Sequence, residues 1–442
     1  MTARTTRRTA LLGTLALLPG CSAYDAVFGS TERPLPGDRL SVLRAEAALS
    51  PDSGTNAANV ALPPAVPVAE WPMEGGPPSH APGHVALAEQ PSLAWRASIG
   101  SGSAYRQRIT AGPIIAGGVV YAVDAWGTVA AHTLADGRQR WRTETTPEDE
   151  SAVGLGGGVA VVGETVFVAT GAAEVLALNA ADGAIAWRVR LPAPARGAPT
   201  VVEGRIFVPT TENQLIALSA EDGRRLWTHR GGPQTTLPLG LPAPAVEGGA
   251  VVAGFGSGEL VALRTSDGRL LWAESLGGVG GTSLADIVGI TGMPVIDDGR
   301  VFAVGLGNRT IAVDLRSGRR LWERSLGGGA GVASAGEWVF AVTGGGEAVA
   351  IGREDGRIRW VTELDPIPEG GRRGERARFG KPLAAGGRIL VPSSRGELLL
   401  LDPAGGGIAG RLPLGSGVTL PMATVDGTLV ALADDGTLIA LR

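Results

Sequence analysis

The stretch LVALRTSDGRLLW, residues 260–272, contains the pattern that decides the fold of this 442-residue chain. Apolar residues alternate through Leu260–Leu263, and Trp272 follows Gly268 by four residues. Such alternation is typical of a β-strand, and Asp-Gly supplies the positive φ that a tight hairpin turn requires. The Gly-x-x-x-Trp spacing recurs at Gly137/Trp141, Gly183/Trp187, Gly223/Trp227, Gly318/Trp322 and Gly356/Trp360. The chain is therefore built from a repeat.

Each repeat has two further apolar segments upstream, as in Pro294–Ile296 and Arg300–Val304. Four short strands joined by turns form one unit, and a period of about 44 residues is typical of a β-propeller blade. At that period residues 92–442 hold about eight units. The sequence predicts an all-β fold, an eight-bladed β-propeller with four-stranded blades, in which Gly410 replaces the Trp of the seventh unit.

The two ends of the repeat region complement each other. Residues 92–99 contain a Trp strand around Trp95 with no unit before it, whereas Gly436–Arg442 is a third strand with no Trp strand after it. We expect the Trp95 strand to complete the eighth blade and close the ring. The alternative, an open solenoid, would leave two bare sheet edges.

Composition argues against several classes of function. A formal net charge of −4 is not that of a general nucleic-acid binder. Lys381 is the sole lysine and is followed by Pro382, which excludes a Walker-type phosphate loop. The single cysteine, Cys21, excludes an intrachain disulfide.

The N-terminus predicts export. Arg7 and Arg8 precede an apolar run over residues 10–18, which is too short to span a bilayer and suits a signal peptide. The residues up to Cys21 resemble a bacterial lipoprotein box, which implies a signal peptide over 1–20 and a lipidated Cys21. An ordinary secretory signal with an incidental Cys is the alternative, and the Arg pair leaves open whether export follows the general secretory or the twin-arginine route.

Residues 21–91 are rich in proline and predict a flexible tether ahead of the propeller at 92–442. His80 and His84 fall in this region with Pro82-Gly83 between them, which prevents the helix that metal binding at this spacing would need. We interpret both as linker residues.

Candidates for catalysis are few. His132 and His229 stand alone in the repeat, and we expect them to be exposed strand residues. The dense basic run from Arg372 to Arg378 is either a solvated loop or a contact for an acidic partner. The residues predict no catalytic group, no metal ligand and no cofactor site.

The Ala-Leu-x-x-x-Asp-Gly-x-x-x-Trp unit is similar to the Trp-docking repeat of quinoprotein-type propellers. With the lipoprotein box and Pro-rich tether added, the chain resembles the BamB-like family of lipoproteins in the outer-membrane β-barrel assembly machinery. The resemblance implies a non-enzymatic scaffold on the periplasmic face of the outer membrane, anchored by lipid on Cys21. It also implies a partner, the periplasmic domains of the barrel subunit (BamA-like), and no nucleic acid.

The resemblance places the partner contact on loops between blades near the middle of the chain. The corresponding apolar segments give Leu237, Leu239, Asp286 and Ile287 as partner-binding candidates. The alternative is that these segments are the first strands of blades four and five.

Two other functions stay open. The quinoprotein branch also contains pyrroloquinoline-quinone dehydrogenases, but these usually carry a vicinal Cys pair and insertions that build a Ca²⁺ site, and this chain has no Cys in the repeat region. A periplasmic propeller that binds peptidoglycan or sensor partners is the third possibility.

Overall fold

A computed structural model describes residues 49–53, 60–105, 107–147, 157–234, 240–277, 289–365 and 376–442. All regular elements in these ranges are β-strands, arranged in eight four-stranded antiparallel sheets. The predicted all-β, eight-bladed propeller is thereby confirmed. No helix in the described ranges has the length and apolar character needed to cross a membrane.

The strands of the first four blades are β2 (Ile114–Ala116), β3 (Val119–Val123), β4 (Val129–Thr133) and β5 (Gln139–Thr143) in blade 1; β6 (Gly157–Val162), β7 (Thr165–Thr170), β8 (Glu174–Asn179) and β9 (Ile185–Arg190) in blade 2; β10 (Thr200–Val202), β11 (Arg205–Thr210), β12 (Gln214–Ser219) and β13 (Arg225–Arg230) in blade 3; and β14 (Ala245–Glu247), β15 (Ala250–Gly254), β16 (Glu259–Arg264) and β17 (Leu270–Ser275) in blade 4.

The remaining strands are β18 (Val295–Asp297), β19 (Arg300–Gly305), β20 (Arg309–Asp314) and β21 (Arg320–Arg324) in blade 5; β22 (Val332–Ala335), β23 (Trp338–Val342), β24 (Glu347–Gly352) and β25 (Ile358–Glu363) in blade 6; β26 (Leu383–Ala385), β27 (Arg388–Ser393), β28 (Glu397–Leu401) and β29 (Ile408–Pro413) in blade 7; and β30 (Ala423–Val425), β31 (Thr428–Leu432), β32 (Thr437–Leu441) and β1 (Leu93–Ser98) in blade 8.

Blade 8 closes the ring as the sequence predicts. Strand β1 pairs with β32, and Trp95 lies opposite Ala440. The amide of Ser92 donates to the carbonyl of Arg442 at 2.6 Å, and the amide of Arg442 donates back to Ser92 at 2.9 Å. The two ends of the repeat region therefore share one sheet, which removes the open edges of a solenoid.

The Trp residues of the repeat pack between blades. Trp272 of blade 4 donates its indole N–H to the carbonyl of Leu315 in blade 5 at 2.6 Å. A Cβ built on Gly318 would lie 2.5 Å from the Trp272 ring, so only glycine leaves room for the indole. The same Trp-on-Gly contact joins Trp95/Gly137, Trp141/Gly183, Trp187/Gly223, Trp227/Gly268, Trp322/Gly356 and Trp360/Gly406. These indoles are buried or half-buried packing residues, not a ligand-stacking stripe.

Blade 7 compensates for its missing Trp. Each of the seven repeat Trp residues lies opposite an alanine of the neighbouring strand, as Trp272 lies opposite Ala262. Gly410, at the Trp position of blade 7, instead lies opposite Leu400, which is 4% exposed. In blade 7, therefore, the third strand carries the large side chain of Leu400 where the other blades have alanine, and the fourth strand carries Gly410 where they have Trp.

The first strand of each blade lines the propeller axis, because these strands contact the first strands of the neighbouring blades. The antiparallel order then gives the ring two faces. We call the face with the blade-to-blade loops and the turns between second and third strands the connection face. The opposite face carries the other turns of each blade.

Candidate functional site

The region expected to be a tether differs from that prediction in its described second half. Residues 66–86 form a loop that enters the ring along its axis, and we call it the axial loop. Its base is closed by a bridge between Val66 and Val85. Val85 and Trp71, inside the loop, are 1% and 2% exposed. This stretch is part of the folded propeller core and not a free linker.

Backbone hydrogen bonds connect the axial loop to six blades. Trp71 exchanges two bonds with Ile115 of blade 1, at 2.7 and 2.8 Å. The other five contacts pair Pro72 with Val161, Pro78 with Val246, Ser79 with Ile296, Val85 with Ala384, and Val68 with Asp426, at 2.8–3.0 Å. These partners belong to or directly follow the first strands of blades 2, 4, 5, 7 and 8. The loop extends the innermost edge of most of the ring.

The two histidines interpreted as linker residues are buried in this arrangement. His80 is fully buried, and its Nδ1 donates to the carbonyl of Pro294 at 2.8 Å. His84 accepts from the amide of Gly387 at 2.9 Å through Nε2, so its Nδ1 carries the proton donated to Pro63. The linker interpretation was wrong because it used local sequence alone, whereas these partners lie far along the chain.

The histidines of the repeat also differ from the prediction. His132 is 2% exposed, and its Nδ1 donates to the carbonyl of Gly137 at 2.9 Å. His229 is half-buried with its ring 5.9 Å from Phe255. Neither is an exposed strand residue, because both contribute to packing within or between blades.

A buried polar cluster sits where the axial loop meets the channel. Glu74 of the loop accepts a hydrogen bond from the amide of Gly112 at 2.9 Å. Lys381, just before blade 7, is 7% exposed and donates to the carbonyl of His80 at 3.5 Å. The loop thus places one acid, one imidazole and the sole lysine within one buried region.

Burial controls the protonation of this cluster. Desolvation raises the pKa of Glu74 to about 7, although the Gly112 hydrogen bond and the charge of Lys381 oppose the rise. Desolvation, aided by Lys381, lowers the pKa of His80 to about 3, so this imidazole is neutral. Desolvation lowers the pKa of Lys381 to about 8, and Glu74 limits the fall. Charge inside a protein is costly unless it is paired, which explains all three directions.

Above this cluster, a cavity of about 550 Å³ lies on the connection face. Glu74 and Lys381 reach it from below, and Arg108, Arg378 and Asp434 contribute further charged side chains. The cavity is also lined by the blade-to-blade residues Gly240, Leu241, Thr291 and Met293.

The sequence-predicted site residues fall outside the described ranges. These are Cys21, Leu237, Leu239, Asp286 and Ile287. The first strands of blades 4 and 5 are observed at Ala245–Glu247 and Val295–Asp297, downstream of both candidate segments. The alternative that these segments form those first strands is therefore wrong.

Only part of the basic run from Arg372 to Arg378 lies within the described residues. Arg372 and Arg373 lie outside the described residues. Arg376 donates to the carbonyl of Gly345 and lies 3.7 Å from the Glu363 carboxylate. Arg378 is exposed at the connection face.

Sequence reasoning missed the axial loop and its buried cluster. Trp71 and Val85 were the available signals, because large apolar side chains are unusual in a solvated Pro-rich segment. The sole lysine, placed directly before a repeat strand, was a second signal.

The fold and its Trp-docked repeats define an eight-bladed propeller of the quinoprotein type. The family model of outer membrane protein assembly factor BamB matches residues 125–362, more than half of the chain. The chain belongs to this BamB family.

Relatives agree with this assignment over part of their length. BamB of Salmonella typhimurium is 34% identical over 119 residues, which cover 26% of this chain and 30% of that protein. BamB of Escherichia coli K12 is 36% identical over 117 residues, covering 25% of this chain and 29% of that protein. Each alignment therefore spans under a third of the relative.

Solved structures support the fold. The crystal structure of BamB from Moraxella catarrhalis superposes with a TM-score of 0.68 at 19% identity, over 80% of this chain and 100% of that one. Quinohemoprotein alcohol dehydrogenase from Comamonas testosteroni superposes with a TM-score of 0.66 at 14% identity, over 85% of this chain and 81% of that one.

Among the described residues, no three His, Cys, Asp or Glu side chains come together as a metal-binding group. The axial loop also places its own Trp71 and His80 side chains in the channel, both at most 2% exposed.

Proposed function

We propose that this protein is a non-enzymatic lipoprotein scaffold of the outer-membrane protein assembly machinery, facing the periplasm. In this proposal it binds the periplasmic domains of the barrel subunit. The observation that carries the proposal is the match of the BamB family model over residues 125–362, within a closed eight-bladed ring. A rigid ring with many loops on one face suits binding to a protein partner.

Attachment to the membrane is assigned to Cys21, after a signal peptide over residues 1–20. A lipid on this residue would hold the protein at the periplasmic face of the outer membrane. Replacing Cys21 with Ser is expected to release the protein from the membrane fraction into the soluble periplasm. Retention of the variant in the membrane would contradict lipid anchoring.

The connection face is the favoured docking face. In the sequence, Leu237 and Leu239 fall between the last strand of blade 3 and the first of blade 4, and Asp286 and Ile287 fall between the last strand of blade 4 and the first of blade 5. Described residues of this face also expose large apolar side chains, namely Tyr105 at 92%, Trp126 at 39% and Leu306 at 40%. Exposed aromatic and aliphatic side chains are typical of protein-binding surfaces.

The test combines Leu239→Ser with Asp286→Asn and measures capture of the barrel subunit by the tagged protein from detergent-solubilised membranes. Capture should fall strongly while the urea unfolding midpoint stays unchanged. Leu93→Ser is the matched control, because Leu93 is 54% exposed in blade 8, across the ring from blade 4. Full capture by the double variant would rule out this docking site.

Failure of the wild-type protein to capture the barrel subunit would overturn the scaffold function itself. A periplasmic propeller that binds peptidoglycan or sensor partners would then be favoured. Saturable dye-linked dehydrogenase turnover on adding pyrroloquinoline quinone and Ca²⁺ would instead support the enzyme.

A further inference from the structure

The cavity on the connection face has the size of a small-ligand site. Its volume of about 550 Å³ lies within the roughly 300–1,000 Å³ typical of such sites. The axial loop contributes Glu74 to the cavity lining, and the amide of Gly112 holds this side chain in place. Its position on the propeller axis gives it walls from several blades.

The floor carries a cation with few partners. Lys381 is more than nine-tenths buried, and the hydrogen bond that its ammonium makes with the carbonyl of His80 is long, at 3.5 Å. An ammonium has three N–H donors, so Lys381 has donor capacity for an anion in the cavity. Arg108 lines the same cavity, and its Nε is buried without a hydrogen-bond partner.

The acids of the cavity leave this positive charge incompletely neutralised. Glu74 is held by the amide of Gly112, and its raised pKa populates the neutral carboxylic acid near neutral pH. Asp434 lies towards the rim, where it accepts a hydrogen bond from Thr419 at 3.1 Å. A neutral Glu74 can also donate its proton to an incoming oxyanion.

Part of the cavity lining is apolar, and Ser103, Thr110, Thr291 and Thr419 contribute hydroxyl groups beside it. The apolar residues include Leu241, Met293, Leu306, Leu420 and Pro421. Leu306 is 40% exposed, which places it at the opening. A ligand entering from the connection face would therefore bury an apolar body against these side chains before its charged end reached Lys381.

We propose that this cavity binds a monocarboxylate attached to an apolar body, with the carboxylate on Lys381 and Arg108. A phosphate dianion suits the site less well, because the carboxylate of Asp434 would repel its second charge and the apolar part of the lining offers it no donors. Two kinds of ligand carry such a carboxylate on an apolar body: a free aryl or alkyl acid, and a peptide through its C-terminal residue.

Calorimetric titration of the full chain carrying Cys21→Ser tests the proposal with two probe pairs. The first pair is 3-phenylpropionate and its methyl ester, and the second is acetyl-Ala-Leu with a free C-terminus and the same peptide as an amide. At least one acid should bind saturably and about ten-fold or more tighter than its uncharged counterpart. Tighter binding of the peptide acid would identify a peptide C-terminus as the source, and the reverse order a free acid.

Variants locate the binding. Lys381→Met preserves side-chain length without the charge and should weaken binding of the acid about ten-fold or more. Arg319→Gln is the control, because Arg319 is exposed on a turn of the opposite face. If Lys381→Met does not fold, Arg108→Gln should show the same direction of effect.

Three results would each overturn the proposal: equal binding of acid and uncharged probe, no saturable binding of either acid at millimolar concentration, or unchanged binding in the charge-removing variant. The titration uses the isolated protein and no barrel subunit. Its outcome is therefore independent of whether the scaffold function holds.

Discussion

At the scale of single residues, the contact between one indole and one glycine joins each blade to the next. Gly318 has a φ of +70° and supports the Trp272 ring, which is 7% exposed. Two separate requirements meet at this position, since the backbone conformation favours glycine and the neighbouring ring excludes a Cβ. The Asp/Ser-Gly-x-x-x-Trp spacing in the sequence reflects both.

Gly318→Ala is expected to destabilise the protein by roughly 2–4 kcal/mol, through left-handed backbone strain of about 1 kcal/mol and displacement of the indole. Gly427→Ala is the matched control, because Gly427 has the same φ of +70° and a Cβ at that position would meet nothing within 4 Å. It should lose about 1 kcal/mol only. Urea unfolding followed by tryptophan fluorescence measures both values.

Equal losses in the two alanine variants would show that backbone strain alone explains the glycine. Docking of the indole would then contribute little to stability. A larger loss at Gly318 assigns the difference to the contact between blades.

At the scale of elements, strand β1 carries the closure of the ring. Trp95 is 8% exposed, donates its indole N–H to the carbonyl of Leu134 at 2.9 Å, and packs on Gly137 of blade 1. Strand β1 thus pairs with β32 inside blade 8 by hydrogen bonds and contacts blade 1 through its Trp. Both ends of the ring depend on it.

Trp95→Ala is expected to cost about 3–5 kcal/mol, the usual loss for a large buried aromatic side chain. Trp126→Ala serves as the comparison, because Trp126 is 39% exposed and lies in a turn of blade 1. Its loss should stay below about 1 kcal/mol. Similar unfolding midpoints for the two variants would contradict the closing role of β1.

The blades and their closure could be predicted from the sequence because the same short pattern of turn and strand residues recurs in most blades. Asp267-Gly268 and Trp272 identify a turn and a strand within thirteen residues, and five further copies confirm the register. The axial loop offered no such period. Trp71 and Val85 are buried by contacts with strands at Ile115 and Ala384, which are distant in the chain.

The functional site could not be predicted from the sequence for the same reason, since its residues follow no repeat. The partner-binding candidates came from a resemblance and not from a repeat, and they lie outside the described residues. The cavity brings Glu74, from before the first blade, to Lys381, from before the seventh. Because two unrelated loops supply these side chains, no spacing in the sequence predicts their meeting.

At the scale of the whole molecule, the axial loop ties blades on all sides of the ring to one buried cluster. Burial of Glu74 and His80 therefore links protonation to folding. His80 has a pKa of about 3 in the fold and an ordinary value of 6.5, so stability falls as pH drops below 6.5. Glu74 has a pKa of about 7 in the fold and an ordinary value of 4.5, so stability rises as pH drops from 7 to 4.5.

These two slopes have opposite sign and overlap between pH 4.5 and 6.5. Each amounts to as much as about 1.4 kcal/mol for one pH unit, and together they cancel. Wild-type stability should therefore change little in this window through these two groups. The acid-side loss from His80 becomes visible below pH 4.5, once Glu74 is protonated in both states.

Glu74→Gln removes the compensating slope, so this variant should lose about 1.4 kcal/mol of unfolding free energy for each pH unit between 6.5 and 4.5, relative to wild type. His80→Asn should give the opposite slope, and Asn suits the φ of +61° at this position. Glu164→Gln, at an exposed turn of blade 2, is the control and should run parallel to wild type. Urea unfolding across this pH range measures all four proteins. Asp residues with lowered pKa, such as Asp314 and Asp365, titrate alike in each and drop out of the comparison. Parallel curves for Glu74→Gln and wild type would show that the buried cluster does not couple folding to pH.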